Sequence, residues 1–232
     1  RFPTYSASVA EGVRNIVNDF RGRLGKGSKN VDRIRLAVDE WGIVRDWNPA
    51  PDGPGIGSFE HYYCLGDAIA AARGMNEILR NADVIEMANW AQLVNVTATI
   101  KTSRTDVAMD PVGYMLAVYG GNLRGVLVPL EAPPNAPLDV VAARDPATGE
   151  LAVAIVNYSL TEDLRVELVV PAGVERSSLV WQIHGRSFAD TNVPGQPEKV
   201  TLRPTRGVIL PGTFNAPRHS ITVVRYSTGK KG

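Results

Sequence analysis

A chain of 232 residues with 25 Lys+Arg against 24 Asp+Glu carries a formal net charge of +1, which exerts no general pull on nucleic acid or an anionic membrane surface. The single cysteine, Cys64, excludes a disulfide scaffold and a Cys-built zinc cluster, and His61, His184 and His219 are spaced too widely for a local metal motif, so no metal site is expected. No apolar run approaches the ~18–20 residues of a membrane span, and nothing after Arg1 reads as a secretory signal, so a cytoplasmic location without membrane contact is expected.

Val9, Val13, Ile16, Val17, Phe20 and Leu24 recur at helical spacing, with Gly25 placed to end the helix. A short strand-like run follows at 33–38, and it stops at Asp39-Glu40-Trp41. Residues 42–57 are a Gly/Pro-rich loop, of a length that in compact domains tends to be functional. Ser58 is placed to cap a second helix over 59–80, with Cys64 on its apolar stripe together with Leu65, Ile69, Ala72, Met75 and Leu79. Asn76-Glu77 falls on the outer, solvated face of that helix. A second strand is expected at 84–88 and a last helix near Pro111–Tyr119. Strand, helix, strand and helix in that order make βαβ units with a parallel sheet.

Pro129, Pro133, Pro134 and Pro137 then break the chain, and beyond them the apolar period becomes two. Runs at 138–142, 151–157, 164–170, 178–183 and 220–226, separated by turns such as Asp145-Pro146-Ala147-Thr148-Gly149, indicate an antiparallel β-sandwich. The chain therefore divides into an α/β part over 1–122 and an all-β part over 123–232.

Two parallel strands do not close a sheet, and each would leave a row of unpaired backbone groups. A (β/α)8 barrel takes roughly 250 residues. The remaining strands are therefore expected before Arg1 or on a companion chain. In parallel α/β folds the chemistry lies at the carboxyl ends of the strands, where Glu40 sits. Such a carboxylate serves as nucleophile, base or metal ligand, or else merely caps the following turn. Asp39 points away from it if the strand alternates regularly, so the two are not a catalytic pair.

Ala37-Val38-Asp39-Glu40-Trp41-Gly42, followed by Leu65-Gly66-Asp67-Ala68, Arg80-Asn81-Ala82-Asp83 and Ala91-Gln92-Leu93-Val94-Asn95-Val96, resembles the C-terminal portion of glycoside hydrolase family 51. Ile155-Val156-Asn157 and Asp190-Thr191-Asn192 look like strand and loop positions of the same family. The resemblance implies the last two βα units of a (β/α)8 barrel followed by a jelly-roll-like sandwich, in a homo-oligomer. It makes Glu40 the nucleophile of a retaining glycosidase and Gln92 the amide that hydrogen-bonds sugar hydroxyls beside the scissile bond. The family often has an aromatic residue four positions after its nucleophile. Val44 stands there in this chain, and Trp41 or Trp47 is the candidate sugar platform in its place.

The family's acid/base lies in an Asn-Glu pair preceded by Gly, and Asn76-Glu77 lacks that context, so the second Glu is expected outside this chain. The implied activity is release of terminal α-L-arabinofuranosyl groups from arabinoxylan or arabinan oligosaccharides, without a cofactor. A β-glucanase or xylosidase of the same family is the nearest alternative. A non-catalytic carbohydrate-binding or scaffold protein, working through its sandwich, is the alternative from another class.

Overall fold

The computed structural model describes residues 2–24, 29–30, 33–43, 60–130, 132–169, 177–208 and 213–227. In chain order the elements are α1 (Phe2–Leu24), β1 (Leu36–Trp41), α2 (Leu65–Arg80), β2 (Ile85–Trp90), β3 (Ile100–Thr102), β4 (Val107–Met109) and α3 (Pro111–Asn122). The all-β part follows with β5 (Val126–Val128), β6 (Leu138–Arg144), β7 (Leu151–Asn157), β8 (Leu164–Glu167), β9 (Ser177–His184), β10 (Thr201–Val208), β11 (Thr213–Ala216) and β12 (Ser220–Tyr226).

β1 and β2 pair in parallel and form a sheet of their own, as the βαβ pattern predicts. Leu36 and Val38 of β1 and Ala88 of β2 turn toward the helices, where they meet Val13, Val17 and Phe20 of α1 and Ile78 of α2. The opposite face carries Ala37, Glu86 and the 44%-exposed Met87. Gly25, the expected helix stop, lies outside the described residues.

The second helix departs from its expected start. It begins at Leu65, with Cys64 as N-cap, and the Asp67 carboxylate accepts the Cys64 N–H at 2.8 Å. Cys64 is therefore a cap and not a member of the apolar stripe. The start is set from outside the helix: the Leu65 and Gly66 N–H groups donate to the carbonyls of Asp190 and Phe188, at 2.8 and 2.7 Å. Those are two of the donors a helix N-terminus leaves without an internal partner.

β5, β6, β7, β9, β10 and β12 form a six-stranded sheet in the order β10-β9-β12-β7-β6-β5, with every neighbouring pair antiparallel. β8 and β11 pair separately and pack over one face, against Val140, Ala142, Val153 and Ile155. The other face, through Val141, Ala154 and Val156, packs on Leu65, Ala68 and Ile69 of α2 and on Val112 and Met115 of α3. The expected sandwich is present, and its core is continuous with the helical layer. β10 holds Pro204 in its middle, which hid it in the sequence. It tolerates proline because it is an edge strand. The Asp145–Gly149 turn forms as expected: Asp145 Oδ1 accepts the Ala147 N–H at 2.8 Å, and Gly149 takes φ 74°.

Asn76 and Glu77 are both buried, which corrects the expected solvated face. Asn76 donates to Asp139 Oδ1 of β6 at 3.0 Å and accepts from the Tyr119 hydroxyl of α3 at 2.9 Å. Glu77 accepts from Arg14 of α1 at 3.1 Å and from Arg80 at 3.3 Å. Arg80 also pairs with Asp139, and the Arg73 guanidinium lies 4.1 Å from the Tyr158 ring centroid. A helix pattern read alone assigns a polar pair to water. Here α2 has protein on nearly every side, so its polar residues are matched across the interfaces instead.

Candidate active site at the end of the parallel pair

β1 and β2 run from Leu36↔Ile85 to Trp41↔Trp90, and beyond that last pair the Ala91 N–H still donates to the Trp41 carbonyl at 3.0 Å. Glu40 precedes this closing pair on one strand and Gln92 follows it on the other. The register thus brings the two to the same, carboxyl-terminal end of the sheet.

The pairing slips between Val38↔Ala88 and Trp41↔Trp90, so β1 has one residue more than β2 in that interval. This is a β-bulge, which re-aims side chains where it occurs. Val38 and Trp41 both pack toward the helices, and Asp39 and Glu40 between them are both exposed. The strict alternation expected of the two acids does not hold, because the bulge breaks the period of two. Among the described residues the Glu40 carboxylate makes no hydrogen bond or ion pair, so neither a cap nor a salt bridge occupies it. It borders a groove of about 360 Å³ between α1 and β1, lined by Val9, Gly12, Val13 and Ile16. That groove is mainly apolar and does not resemble a sugar cradle.

Gln92 is exposed and has φ 71°, in the left-handed region that few non-glycine residues adopt. Trp41 turns inward. Its ring meets Trp90 edge-on at 4.9 Å and packs against the buried core, and a β-carbon added at Gly74 would lie 3.5 Å from the indole. Its geometry is that of a packing residue at the strand end rather than an open sugar platform. Trp47 lies outside the described residues. Trp90 packs between Trp41 and Tyr63, with the Tyr63 ring at 5.5 Å. His61 is half-buried and stacks on Tyr63 at 6.3 Å, while its N–H donates to the Val96 carbonyl at 2.8 Å.

Among the described residues no cluster of three His, Cys, Asp or Glu side chains could hold a metal ion, and no helix is long and apolar enough to cross a membrane. Two polar residues tie the sandwich to this end. Asn192 uses its amide fully, donating to the carbonyls of Met109 and Val200 and accepting from the Lys199 and Val200 N–H groups. The Thr191 hydroxyl donates to the Tyr63 carbonyl at 2.7 Å.

Residues 39–220 match the family model described as the alpha-L-arabinofuranosidase C-terminal domain. The chain belongs to that family. The resemblance to the C-terminal portion of glycoside hydrolase family 51 is borne out with it. Among curated relatives, a probable alpha-L-arabinofuranosidase C from Aspergillus flavus is 27% identical over 213 residues, covering 84% of this chain but 40% of its own length. The chain thus spans well under half of such relatives. The alpha-L-arabinofuranosidase of Thermotoga maritima, solved with arabinose, superposes with a TM-score of 0.81 at 19% identity, over 97% of this chain and 50% of its own. A family 51 alpha-L-arabinofuranosidase from Bifidobacterium longum gives 0.77 at 22% identity, over 97% and 48%. At these identities the likeness of the solved structures is one of fold.

Proposed function

We propose that this chain is the C-terminal part of a retaining α-L-arabinofuranosidase in which Glu40 is the nucleophile. The observation that carries the reading is the exposed carboxylate, unpartnered among the described residues, on a bulge at the carboxyl end of a parallel strand, in a chain of an arabinofuranosidase family. On this reading Glu40 attacks the anomeric carbon and the glycosidic C–O bond breaks as a glycosyl ester forms. A second Glu, outside this chain, protonates the departing oxygen. That Glu then takes a proton from water, which hydrolyses the ester and frees Glu40. Retention requires the two carboxyl groups ~5–5.5 Å apart.

The same reading makes 1–122 the last two βα units of a (β/α)8 barrel and 123–232 its companion sandwich. The edges of β1 and β2, open among the described residues, and the exposed Met87 on the face away from the helices support continuation of the sheet by a further segment on the same polypeptide or a companion chain. The substrate class is a terminal arabinofuranosyl group of arabinan or arabinoxylan oligosaccharides, and the enzyme acts as a cytoplasmic homo-oligomer. A non-catalytic role through the sandwich has less support: among its described aromatic residues Phe188 alone is exposed, and Trp181 faces the Arg225 guanidinium at 5.4 Å.

The test is a 2-fluoro arabinofuranoside with a good leaving group, applied to the full polypeptide and followed by peptide mapping. The label is expected on Glu40, and a label elsewhere overturns the assignment. Faster hydrolysis of a nitrophenyl β-xyloside than of the α-L-arabinofuranoside overturns the substrate class.

A further inference from the structure

The loop leaving β2 is held in a shape that its own residues disfavour. Gln92, Asn95 and Val96 have φ of 71°, 57° and 52°. Asn tolerates the left-handed region, whereas a β-branched residue seldom enters it. Strain of that kind persists where surrounding contacts over-determine the backbone.

Such contacts surround Val96. Its N–H donates to Glu60 Oε2 at 2.8 Å, and its carbonyl accepts from Lys101 Nζ at 2.8 Å as well as from the His61 N–H. Glu60 and Lys101 are joined in turn, Nζ to Oε1 at 3.1 Å, with the Lys101 side chain fully buried and that of Glu60 14% exposed. The Tyr62 and Tyr63 rings face the ammonium at 5.4 and 5.9 Å. One ion pair thus grips both the donor and the acceptor of a single strained residue. A buried ammonium is costly, and an apolar side chain would fill the same space without that cost. Gln92 stands between two anchored neighbours: the Ala91 N–H is bonded to Trp41, and the Leu93 carbonyl accepts from the Ile100 N–H at 3.3 Å, one residue before Lys101.

We propose that the Glu60–Lys101 pair is a positioning device, locking loop 91–99 in the shape that presents the Gln92 amide at the Glu40 end of the sheet. It rests on the reading of Gln92 as a sugar-binding residue. Glu60 and Lys101 touch no sugar themselves and act through Val96.

The full polypeptide carrying Lys101→Met, Glu60→Gln, Gln92→Ala or Lys101→Met with Gln92→Ala is assayed on nitrophenyl α-L-arabinofuranoside, for inhibition by arabinose, and for amide hydrogen exchange. Lys101→Met is expected to speed exchange in residues 91–99 at least tenfold while the six-stranded sheet stays protected. It should raise KM and the arabinose inhibition constant roughly five- to fifty-fold. The double variant should lose no more than Gln92→Ala alone, because both changes remove the same contact. Lys101→Arg should recover part of the affinity. Glu60→Gln keeps an acceptor for the Val96 N–H, and is the milder variant should Lys101→Met fold poorly.

If Lys101→Met and Glu60→Gln lower the melting temperature with KM unchanged, or if the losses of the double variant multiply, the pair is structural and the proposal falls. Loss of affinity in Gln92→Ala without one in Lys101→Met removes the proposal alone. Unchanged affinity in Gln92→Ala removes the reading of Gln92 and the proposal with it.

Discussion

β7 and β1 are both rich in small and branched apolar residues, yet their surroundings differ completely. All seven residues of β7 are buried; β6 and β12 flank it, helices cover one face and the β8–β11 pair covers the other. β1 has β2 on one side, helices on one face, and exposed residues at Ala37, Asp39 and Glu40. The contrast separates two uses of a strand. β7 contributes stability through area removed from water, while β1 carries a carboxylate and leaves backbone groups and side chains uncovered for something else to meet.

The largest effect should come from the exposed strand. Glu40→Ala in the full polypeptide should reduce turnover about 10,000-fold or more, with the melting temperature little changed and azide restoring part of the rate. A variant that keeps a tenth of the activity would make β1 as structural as β7.

The next pair of variants sets the two strands directly against each other. Ile155→Ala in β7 empties a fully buried site and should cost ~2–5 kcal/mol in chemical denaturation. Met87→Ala, on the exposed face of the β1–β2 sheet, should cost under about 0.5 kcal/mol in residues 1–232 by themselves. On the barrel reading, in which further strands cover it in the full polypeptide, it should cost about 2 kcal/mol or more there. Equal costs in both contexts would remove the barrel reading.

Between the two regions lies the polar network on α2. Asp139→Ala leaves Arg80 and Asn76 without their shared acceptor and Arg73 without its ion pair, and should cost about 2–3 kcal/mol, below the ~3–5 kcal/mol of a wholly buried pair because Arg80 is 38% exposed. Loss of cooperativity between the helical layer and the sandwich, seen as two separate transitions, would sharpen the comparison further.

The smallest effect is one of pH. His219 is 5% exposed, and its pKa is lowered first by burial and then by His184 and Arg218. The unfolded chain therefore takes up the proton first as pH falls. Stability should decline as pH drops from about 6.5 through the lower folded value, then level off. His219→Asn, which tolerates the φ of 43° there, should flatten part of that acid limb in thermal melts. His184, also lowered mainly by burial, should keep the remainder.

Local patterns made much of this legible. The apolar runs at 138–142, 151–157 and 220–226 fall within or coincide with β6, β7 and β12; covered on both faces, these strands are apolar almost throughout instead of strictly alternating. Helix α3, expected near Pro111–Tyr119, runs over Pro111–Asn122, and the structure adds its N-cap, Asp110, which accepts the Gly113 N–H at 3.1 Å. β10 and β11 were not legible, one interrupted by Pro204 and the other four residues long.

The sequence by itself determined the change of period at the proline-rich segment, the parallel βαβ character of the first part, and the placement of Glu40 and Gln92 past apolar runs. Each depends on residues close together in the chain. Only the tertiary structure decided where α2 begins, since its first N–H groups answer to carbonyls at 188 and 190. Tertiary packing also decided that Asn76 and Glu77 are buried, that the bulge frees Asp39 and Glu40 from alternation while Trp41 turns inward, and that Glu60 and Lys101 meet around Val96. For the buried polar groups, Asn76, Glu77, Glu60 and Lys101, the reason is the same. A charged or amide side chain reads as solvated until a distant segment supplies its partner, and such partners are fixed by packing rather than by spacing along the chain.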